Sequence, residues 1–296
     1  MKVGEYIQEA ADQFENADLF YGHGTDNAAD EALYLVFSYL RLDYTGDDSQ
    51  FARPLSENEL VALRDLAQRR ITERVPVAYL VNEAWFAGLP FHSDSRALVP
   101  RSPLAELILN HYEPLLDELP QRVLDLCTGS GCIGIATAAV FPQAEVDLAD
   151  ISVDALALAE QNIARHQLQS RVRTVASDLF DGLHEAKATY DLIVSNPPYV
   201  SAEEVMGLPA EYGHEPSLGL LSDEDGLLIP LRILRQAPDY LTESGVLVME
   251  VGYSWQALMA RYPDLPVVWL EFEQGGEGVM AIGRDALIRV QSMIRV

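Results

Sequence analysis

Short apolar runs alternate with helical stretches in the second part of the chain, and this alternation is the strongest constraint on its fold. Strands separated by helices are typical of βαβ units, which build a mainly parallel sheet. The predicted strands are residues 122–126, 145–150, 172–176, 192–195, 246–251, 267–271 and 278–283. The last run follows the sixth too closely for a crossover helix. We therefore expect a Rossmann-like α/β fold whose mostly parallel, seven-stranded sheet ends in an antiparallel hairpin.

Residues 3–75 show a different pattern, with apolar residues recurring every three or four positions as in amphipathic helices. Ser56 and Glu59 form a capping box ahead of the third of these helices. Residues 78–99 are instead rich in aromatic and turn-forming residues, which indicates a short hairpin with its turn near Gly88 to Pro90. The predicted organisation is a helical domain (1–77), a hairpin linker (78–99) and an α/β domain (100–296).

The composition disfavours several classes of partner and location. The formal net charge is −26, from 20 Lys and Arg against 46 Asp and Glu. Such a surface repels nucleic acid phosphates and attracts strongly basic macromolecules. No stretch approaches the ~20 apolar residues of a membrane span, and the acidic, amphipathic start of the chain does not resemble a signal peptide. We expect a cytoplasmic protein that binds a basic protein, with no direct nucleic acid partner and no membrane.

A glycine-rich turn follows the first predicted strand. The stretch from Val123 to Gly134 is a buried strand that breaks into this turn and then opens a helix, so backbone can approach a ligand closely there. Gly129 to Gly134 matches G-x-G-x-x-G, and Asp150 closes the next strand, where a carboxylate would accept both ribose hydroxyls. This fingerprint alone does not separate a nicotinamide cofactor from S-adenosylmethionine.

Two further acidic residues favour S-adenosylmethionine. Asp125 precedes the turn, where its carboxylate could hold the cationic or amino end of that molecule, whereas an anionic pyrophosphate would gain nothing from it. Asp178 follows the third strand, at the place for an adenine amine, and Leu179 can pack on the ring. An isolated Asp at a strand end is more often a helix cap, but three at this spacing around one turn favour a ligand site. Cys127 and Cys132 lack a metal-ligand pattern, so no metal site is predicted.

The sharpest signal is the tetrapeptide Asn196-Pro197-Pro198-Tyr199, which ends an apolar strand beside the predicted cofactor turn. Consecutive prolines lack N–H groups, which leaves carbonyls that only accept hydrogen bonds. The Asn196 side-chain oxygen and the Pro197 carbonyl could accept both hydrogens of a planar NH₂ group, while Tyr199 packs against its flat face. A plain Pro-Pro turn is the alternative, which its position at the mouth of the same sheet disfavours. Catalysis would rest on positioning, with no essential His.

The tetrapeptide and the segment from Asp125 to Gly131 resemble the protein glutamine N(5)-methyltransferases (HemK/PrmB-like), and the resemblance covers nearly the whole chain. It implies a class I S-adenosylmethionine-dependent methyltransferase with a helical substrate-recognition domain. It also implies that residues 196–199 bind a glutamine amide. Together with the reasoning above, the predicted cofactor-binding residues are Asp125, Cys127, Thr128, Gly129, Ser130, Gly131, Asp150, Asp178, Leu179 and Asn196.

Within this family, residues 98–108 look like the branch of PrmB type, which acts on large-subunit ribosomal protein three. Release-factor enzymes usually carry Asp and Thr after Pro100-Arg101, and Cys127 again resembles the ribosomal branch. A free ribosomal protein is very basic, which agrees with the acidic composition. His214-Glu215-Pro216 and Glu250-Val251-Gly252 also look familial, and we expect them to order loops and the sheet.

Other functions stay open at this point. The same reaction on peptide chain release factors would need the same site. Adenine methylation of DNA or RNA would suit the tetrapeptide, since a flipped base also presents an NH₂ group, but the charge disfavours it. A nicotinamide oxidoreductase would leave the tetrapeptide unexplained, and a noncatalytic binding protein would have no need of intact Asp125, Asp150 and Asn196. The sequence does not identify the target glutamine or the oligomeric state.

Overall fold

Helices make up most of the N-terminal part of the chain in the computed structural model, which describes residues 1–186, 189–273 and 275–295. They are α1 (Val3–Glu15), α2 (Ala28–Leu40), α3 (Glu57–Thr72) and α4 (Val77–Val81). The predicted capping box is present, since Ser56 Oγ accepts from the Glu59 N–H and the Glu59 carboxylate accepts from the Ser56 N–H. Helices α1 and α2 pack on each other around Phe14 and Leu35, so this part has a core of its own.

Strands β1 (Ala84–Phe86) and β2 (Leu89–Phe91) form the expected antiparallel hairpin. Its turn lies at Ala87 and Gly88, with φ values of 47° and 76°, rather than at Gly88 to Pro90. Two central residues with positive φ make the tight turn that matches the twist of paired strands, so Pro90 falls within β2. The hairpin contributes side chains to the cores on both sides: Ala84 to the helical core, Phe86 and Phe91 to the α/β core. The domain limits at 77 and 99 stay a prediction.

A seven-stranded sheet forms the centre of the second part. Its strands are β3 (Arg122–Leu126), β4 (Glu145–Asp150), β5 (Val172–Ala176), β6 (Tyr190–Ser195), β7 (Leu241–Glu250), β8 (Val268–Trp269) and β9 (Val279–Gly283). They lie in the order β5-β4-β3-β6-β7-β9-β8, with β3 to β7 parallel and β9 antiparallel to both its neighbours. The predicted fold class is therefore confirmed. β6 and β7 begin earlier than predicted, and β8 is shorter.

Helices cover both faces of this sheet. They are α5 (Leu104–Leu109), α6 (Cys132–Val140), α7 (Val153–Arg165), α9 (Leu228–Gln236), α10 (Trp255–Arg261) and α11 (Arg284–Val290). A further helix, α8 (Ala202–Gly207), follows β6 and buries none of its residues. The chain runs outward from β3 to β5 and then returns to β6 on the other side of β3. In such sheets ligands bind at the carboxyl ends of the strands where the order reverses, which here means β3 and β6. Within the described ranges no helix combines the length and apolarity that crossing a bilayer requires.

Candidate active site

Two adjoining cavities open at the carboxyl ends of β3, β4 and β6. The first, called the chamber, has a volume of about 720 Å³ and is lined by Pro197 and Tyr199. The second, called the cleft, has a volume of about 220 Å³ and is lined by Asp150 and Asp178. The residues that line both cavities are Leu98, Cys127, Gly129, Asn196 and Gly219. One elongated ligand can therefore extend from the cleft into the chamber.

The turn after β3 forms the wall shared by these cavities. Cys127, Gly129 and Gly131 have φ values of 60°, 56° and 82°, in the left-handed region that favours glycine. A Cβ added to Gly129 would meet nothing closer than Ala97, at 3.6 Å, so this backbone is open to close approach by a ligand. Among the predicted residues, Thr128 and Ser130 also line the chamber. The structure thus brings the predicted turn residues to the cavities, with Gly131 packed behind them.

Asp125 lies beneath the turn and lines neither cavity. Its side chain is fully buried, and its Oδ2 accepts hydrogen bonds from Thr128 Oγ1 and from the Gly134 N–H. Burial raises the pKa of Asp125 to about 7, although the two hydrogen bonds act to lower it. Its Oδ1 has no hydrogen-bond partner among the described residues. Asp125 therefore shapes the turn, and direct contact with the charged end of a cofactor stays a prediction.

The cleft brings together three predicted cofactor residues, Asp150, Asp178 and Leu179. Asp150 accepts hydrogen bonds of 2.8 Å from the N–H groups of Gly129 and Ser152, and burial raises the pKa of its carboxyl. Asp178 is 45% exposed and lies 3.0 Å from an Arg232 guanidinium nitrogen. Leu179 is buried and supplies an apolar wall. A cleft with a carboxylate at each end and an apolar side suits a nucleoside.

The tetrapeptide after β6 presents two free acceptors to the chamber. Asn196 and Pro197 line it, and no donor among the described residues reaches the Asn196 side chain or the Pro197 carbonyl. Tyr199, by contrast, is held in place. Its hydroxyl donates to Glu250 Oε1 at 2.7 Å, and its carbonyl accepts from Ser254 Oγ at 2.7 Å. Pro198 faces the cleft. The free acceptors are thus presented beside a rigid aromatic ring.

Glu250 is a chamber residue that was expected only to order the sheet. Its carboxylate is buried and accepts hydrogen bonds from Tyr199 on one oxygen and from Ser102, at 2.5 Å, on the other. Burial raises the pKa of this carboxyl, while its hydrogen bonds lower it. The partners lie 51 and 148 residues away in sequence, so no local pattern could have identified the contact.

The segment that follows the tetrapeptide, residues 200–222, covers both cavities and is called the roof. Glu215 fixes it to the segment before α5, because its carboxylate accepts two 2.6 Å hydrogen bonds from Arg101 and one of 3.0 Å from the Val99 N–H. Burial alone would raise the pKa of Glu215, but His23 and the charge of Arg101 outweigh it and lower the pKa to about 2. Glu215 therefore orders a loop, as the sequence predicts.

A second buried carboxylate fixes the roof to the helical part of the chain. Glu211 accepts hydrogen bonds from the Arg70 guanidinium at 3.0 Å and from the Phe20 N–H at 3.1 Å. Arg70 also donates to Glu31 at 3.2 Å, and all three charged side chains are at most 3% exposed. His214 contacts the Glu73 carbonyl at 2.7 Å, which agrees with a structural role. The roof is thus held from both parts of the molecule.

Metal-binding clusters of three or more His, Cys, Asp or Glu do not occur among the described residues. Cys127 and Cys132 are free thiols, and burial raises the pKa of both, which keeps them protonated. This environment suits small packing residues, and Cys127, a predicted cofactor residue, also lines both cavities.

The site combines a glycine turn after β3, a carboxylate at the end of β4 and an acceptor-rich turn after β6. Together with this strand order, these features define a class I S-adenosylmethionine-dependent methyltransferase. The open face of Gly129 and the carboxylates of the cleft fit that cofactor. A family model described as "Methyltransferase small domain" matches residues 105–209. The chain belongs to the ribosomal protein uL3 glutamine methyltransferase family, since curated members match it at high identity over nearly its full length.

Two of these relatives carry the name ribosomal protein uL3 glutamine methyltransferase. The protein from Francisella tularensis subsp. tularensis is 43% identical over 99% of this chain and 93% of its own length. The protein from Xanthomonas campestris pv. campestris is 49% identical over 96% of this chain and 92% of its own. Among solved structures, the hMettl16 catalytic domain with MAT2A 3′UTR hairpin 6 has a TM-score of 0.52 and 17% identity, over 77% of this chain and 82% of that one. At that identity the likeness extends to the fold alone.

Proposed function

We propose that this protein transfers the methyl group of S-adenosylmethionine to the side-chain amide nitrogen of a glutamine in ribosomal protein uL3. The observation that carries the proposal is the pair of free acceptors, the Asn196 side chain and the Pro197 carbonyl, beside the cleft that suits a nucleoside. Relatives named for this activity, aligned over 96% to 99% of the chain, support it.

The predicted cofactor residues of this chain would hold S-adenosylmethionine and orient it. Asp150 is in position to accept hydrogen bonds from ribose hydroxyls, Asp178 to accept one from an adenine amine, and Leu179 to pack on the ring. Gly129 permits close backbone approach between the cleft and the chamber. When bound, S-adenosylmethionine supplies an electrophilic methyl group on a sulfonium. The chain's own contribution is to direct that methyl toward the chamber.

An amide nitrogen is a poor nucleophile because its lone pair is delocalised into the carbonyl. The Asn196 side-chain oxygen and the Pro197 carbonyl each accept a hydrogen bond from one of its N–H groups. These two bonds fix the plane of the amide and turn a face of the nitrogen toward the cleft. Tyr199 packs against the amide. On transfer the nitrogen would bond the methyl carbon as the carbon–sulfur bond breaks, sulfur would keep that electron pair as a neutral thioether, and the amide would release one proton to solvent. Positioning of this kind in a covered site lowers a barrier by up to ~7 to 11 kcal/mol.

The acceptor molecule is a basic protein, not nucleic acid and not a membrane. A net charge of −26 attracts a free ribosomal protein and repels phosphates. The helical part of the chain would help to recognise that substrate, because the roof over the chamber is fixed to it through Arg70 and Glu211. A ribosomal protein acceptor implies a cytoplasmic reaction.

Transfer of radiolabelled methyl from S-adenosylmethionine to separate acceptors tests the proposal. The acceptors are free uL3, a peptide chain release factor and DNA. Label on one glutamine of uL3, located by mass spectrometry, is the expected result. Label on the release factor alone would support methylation of a glutamine amide but would replace uL3 as the proposed substrate. Label on DNA would overturn the assignment of an amide acceptor.

A further inference from the structure

A groove of about 1150 Å³ lies next to the chamber, between the C-terminal half of α2 and the β1-β2 hairpin. Its lining includes Tyr34, Ser38 and Tyr44, which lie on or just after α2, and Asn82 and Trp85, which lie before and on β1. The proposed methyl transfer uses none of these residues. A concave surface of this size is large enough to take up part of a polypeptide.

The groove and the chamber share part of their lining. Val99 and Pro100 contribute to both, so the cavities adjoin along this segment. His23 forms a second link, because it lines the groove while its ring lies 4.8 Å from that of Tyr212, a chamber residue. The two cavities therefore lie close enough for one polypeptide to occupy both.

Two buried polar atoms in the groove, His23 Nδ1 and Thr25 Oγ1, lack a hydrogen-bond partner in the part of the chain that the structure describes. The His23 side chain is only 2% exposed; its Nε2 pairs with Glu215 Oε2 at 3.5 Å, whereas its Nδ1 makes no hydrogen bond among the described residues. The Thr25 hydroxyl also has no hydrogen-bond partner among the described residues. Buried polar groups in folded proteins are nearly always hydrogen-bonded, and an unpaired one is costly. The backbone of a bound polypeptide supplies the donors and acceptors that these groups lack.

Aromatic side chains form the rim of the groove. Tyr44 and Trp85 are 41% and 44% exposed, and their rings meet edge to face with centroids 5.5 Å apart. Tyr and Trp are enriched among the residues that dominate the affinity of protein interfaces, because they bury much area at little conformational cost. An exposed pair on the wall of a groove is the arrangement expected for gripping a polypeptide.

The charges in the groove balance. Glu83 pairs with Arg165 at 2.5 Å, and Arg41 is matched by Asp43 among the lining residues. The groove therefore differs from the acidic molecule as a whole and gives no electrostatic preference for Lys or Arg. We propose that the groove binds an uncharged, extended segment of the substrate polypeptide that flanks the target glutamine. This inference rests on the proposed function and names the subsite that recognises its substrate.

Steady-state methylation of uL3 by the full-length protein tests the groove. Tyr44→Ala and Trp85→Ala should each raise the KM for uL3 about tenfold, as expected for aromatic anchors, while leaving kcat and S-adenosylmethionine affinity nearly unchanged. Tyr39→Ala is the matched control, because Tyr39 lies on α2 beside the groove residue Ser38, is 39% exposed and does not line the groove. Equal KM values for the three variants would overturn the inference.

Peptide substrates of different length distinguish binding in the groove from methyl transfer in the chamber. A short uL3 peptide around the modified glutamine is compared with peptides extended on either side by about ten residues, enough at about 3.3 Å per residue to span the groove. One extension should lower the KM for the wild-type protein, and Trp85→Ala should remove that gain without affecting the short peptide. A preference for lysine-rich extensions, or no gain from either side, would overturn the inference. Absence of methylation with wild-type protein and every uL3 acceptor would instead reject the proposed function, and the inference with it.

Discussion

The Tyr199 hydroxyl donates a 2.7 Å hydrogen bond to Glu250, a buried carboxylate whose other oxygen accepts from Ser102. One carboxylate therefore supports both the turn after β6 and the segment before α5. Because Tyr199 lines the chamber, the position of Glu250 sets the position of the ring that we propose packs on the substrate amide.

Tyr199→Phe should slow methyl transfer through loss of positioning. The variant keeps the ring but removes a hydrogen bond to a charged group, a contact worth about 1.5 to 3 kcal/mol. We expect a tenfold to hundredfold lower single-turnover rate with unchanged S-adenosylmethionine affinity. Glu250→Gln should lower the rate similarly, and the double variant should lose little more than either alone. Additive losses would show that the two residues act separately.

Asn196→Ala should abolish methyl transfer while S-adenosylmethionine affinity stays within several-fold of wild type. The side chain is a free acceptor in the chamber, so its loss leaves one amide N–H of the substrate without a partner. Single-turnover assays with saturating uL3 measure the rate, and calorimetry measures the affinity. Activity retained in the single turnover would refute the proposed role of Asn196.

Asp150→Ala should weaken S-adenosylmethionine binding by about 1 to 3 kcal/mol, because a buried acceptor of charge-assisted hydrogen bonds is lost. Asp178→Ala should cost less, since Asp178 is 45% exposed and already pairs with Arg232. Calorimetric dissociation constants for both variants make the comparison. An unchanged constant for Asp150→Ala would contradict its assignment to the ribose.

Asp125→Asn should remove a pH dependence of stability. Burial raises the pKa of Asp125 from 3.8 to about 7, so the folded protein keeps a proton that the unfolded chain releases. The stability contributed by this group is complete below pH 3.8 and is lost as the pH rises to about 7, at ~1.4 kcal/mol per unit. Urea unfolding of cofactor-free protein at several pH values in this window should show wild type losing stability relative to the variant. Parallel pH profiles would rule this out.

Arg70→Met should destabilise the protein by about 3 to 5 kcal/mol, because the buried carboxylate of Glu31 loses its cation and that of Glu211 keeps only the more distant Arg74, at 3.7 Å. Arg64→Met on the same helix is the matched control. Arg64 is 54% exposed and lies 3.5 Å from Glu9, so its loss should cost under about 1 kcal/mol. Denaturant unfolding measures the free energy of unfolding of both variants. Similar decreases would mean that the buried ion pairs stabilise the protein no more than the exposed pair does.

The sequence predicts the central strands well because their apolar runs are bounded by polar residues, as in β3, β4 and β5. It misses the start of β7, where Thr242 to Gly245 is polar and typical of a turn. That stretch continues the strand because Leu241 pairs with Tyr190 across a register shift. A Cβ on Gly245 would lie 2.8 Å from the Tyr190 carbonyl, so glycine here permits a close approach between strands.

The candidate site is predictable where its residues are close in sequence to a strand end. Asp150 ends β4, Asp178 lies two residues after β5 and Asn196 directly follows β6, so the topology brings them together. Glu211, Glu250 and their partners are not predictable this way, because their contacts join residues 51 to 191 positions apart. The burial of Asp125 beneath the turn likewise depends on how α6 packs against β3, which no local pattern specifies.

The buried ion pair between Arg70 and Glu211 joins residues 141 positions apart, and the ribosome makes the arginine first. During synthesis α3 therefore emerges with Arg70 paired only to Glu31 of α2, and Glu211 joins this pair once the roof has left the ribosome. Until then the chamber lacks the segment that covers it. The fold therefore completes the substrate site late, after the helical part, the hairpin and four strands of the sheet have been made.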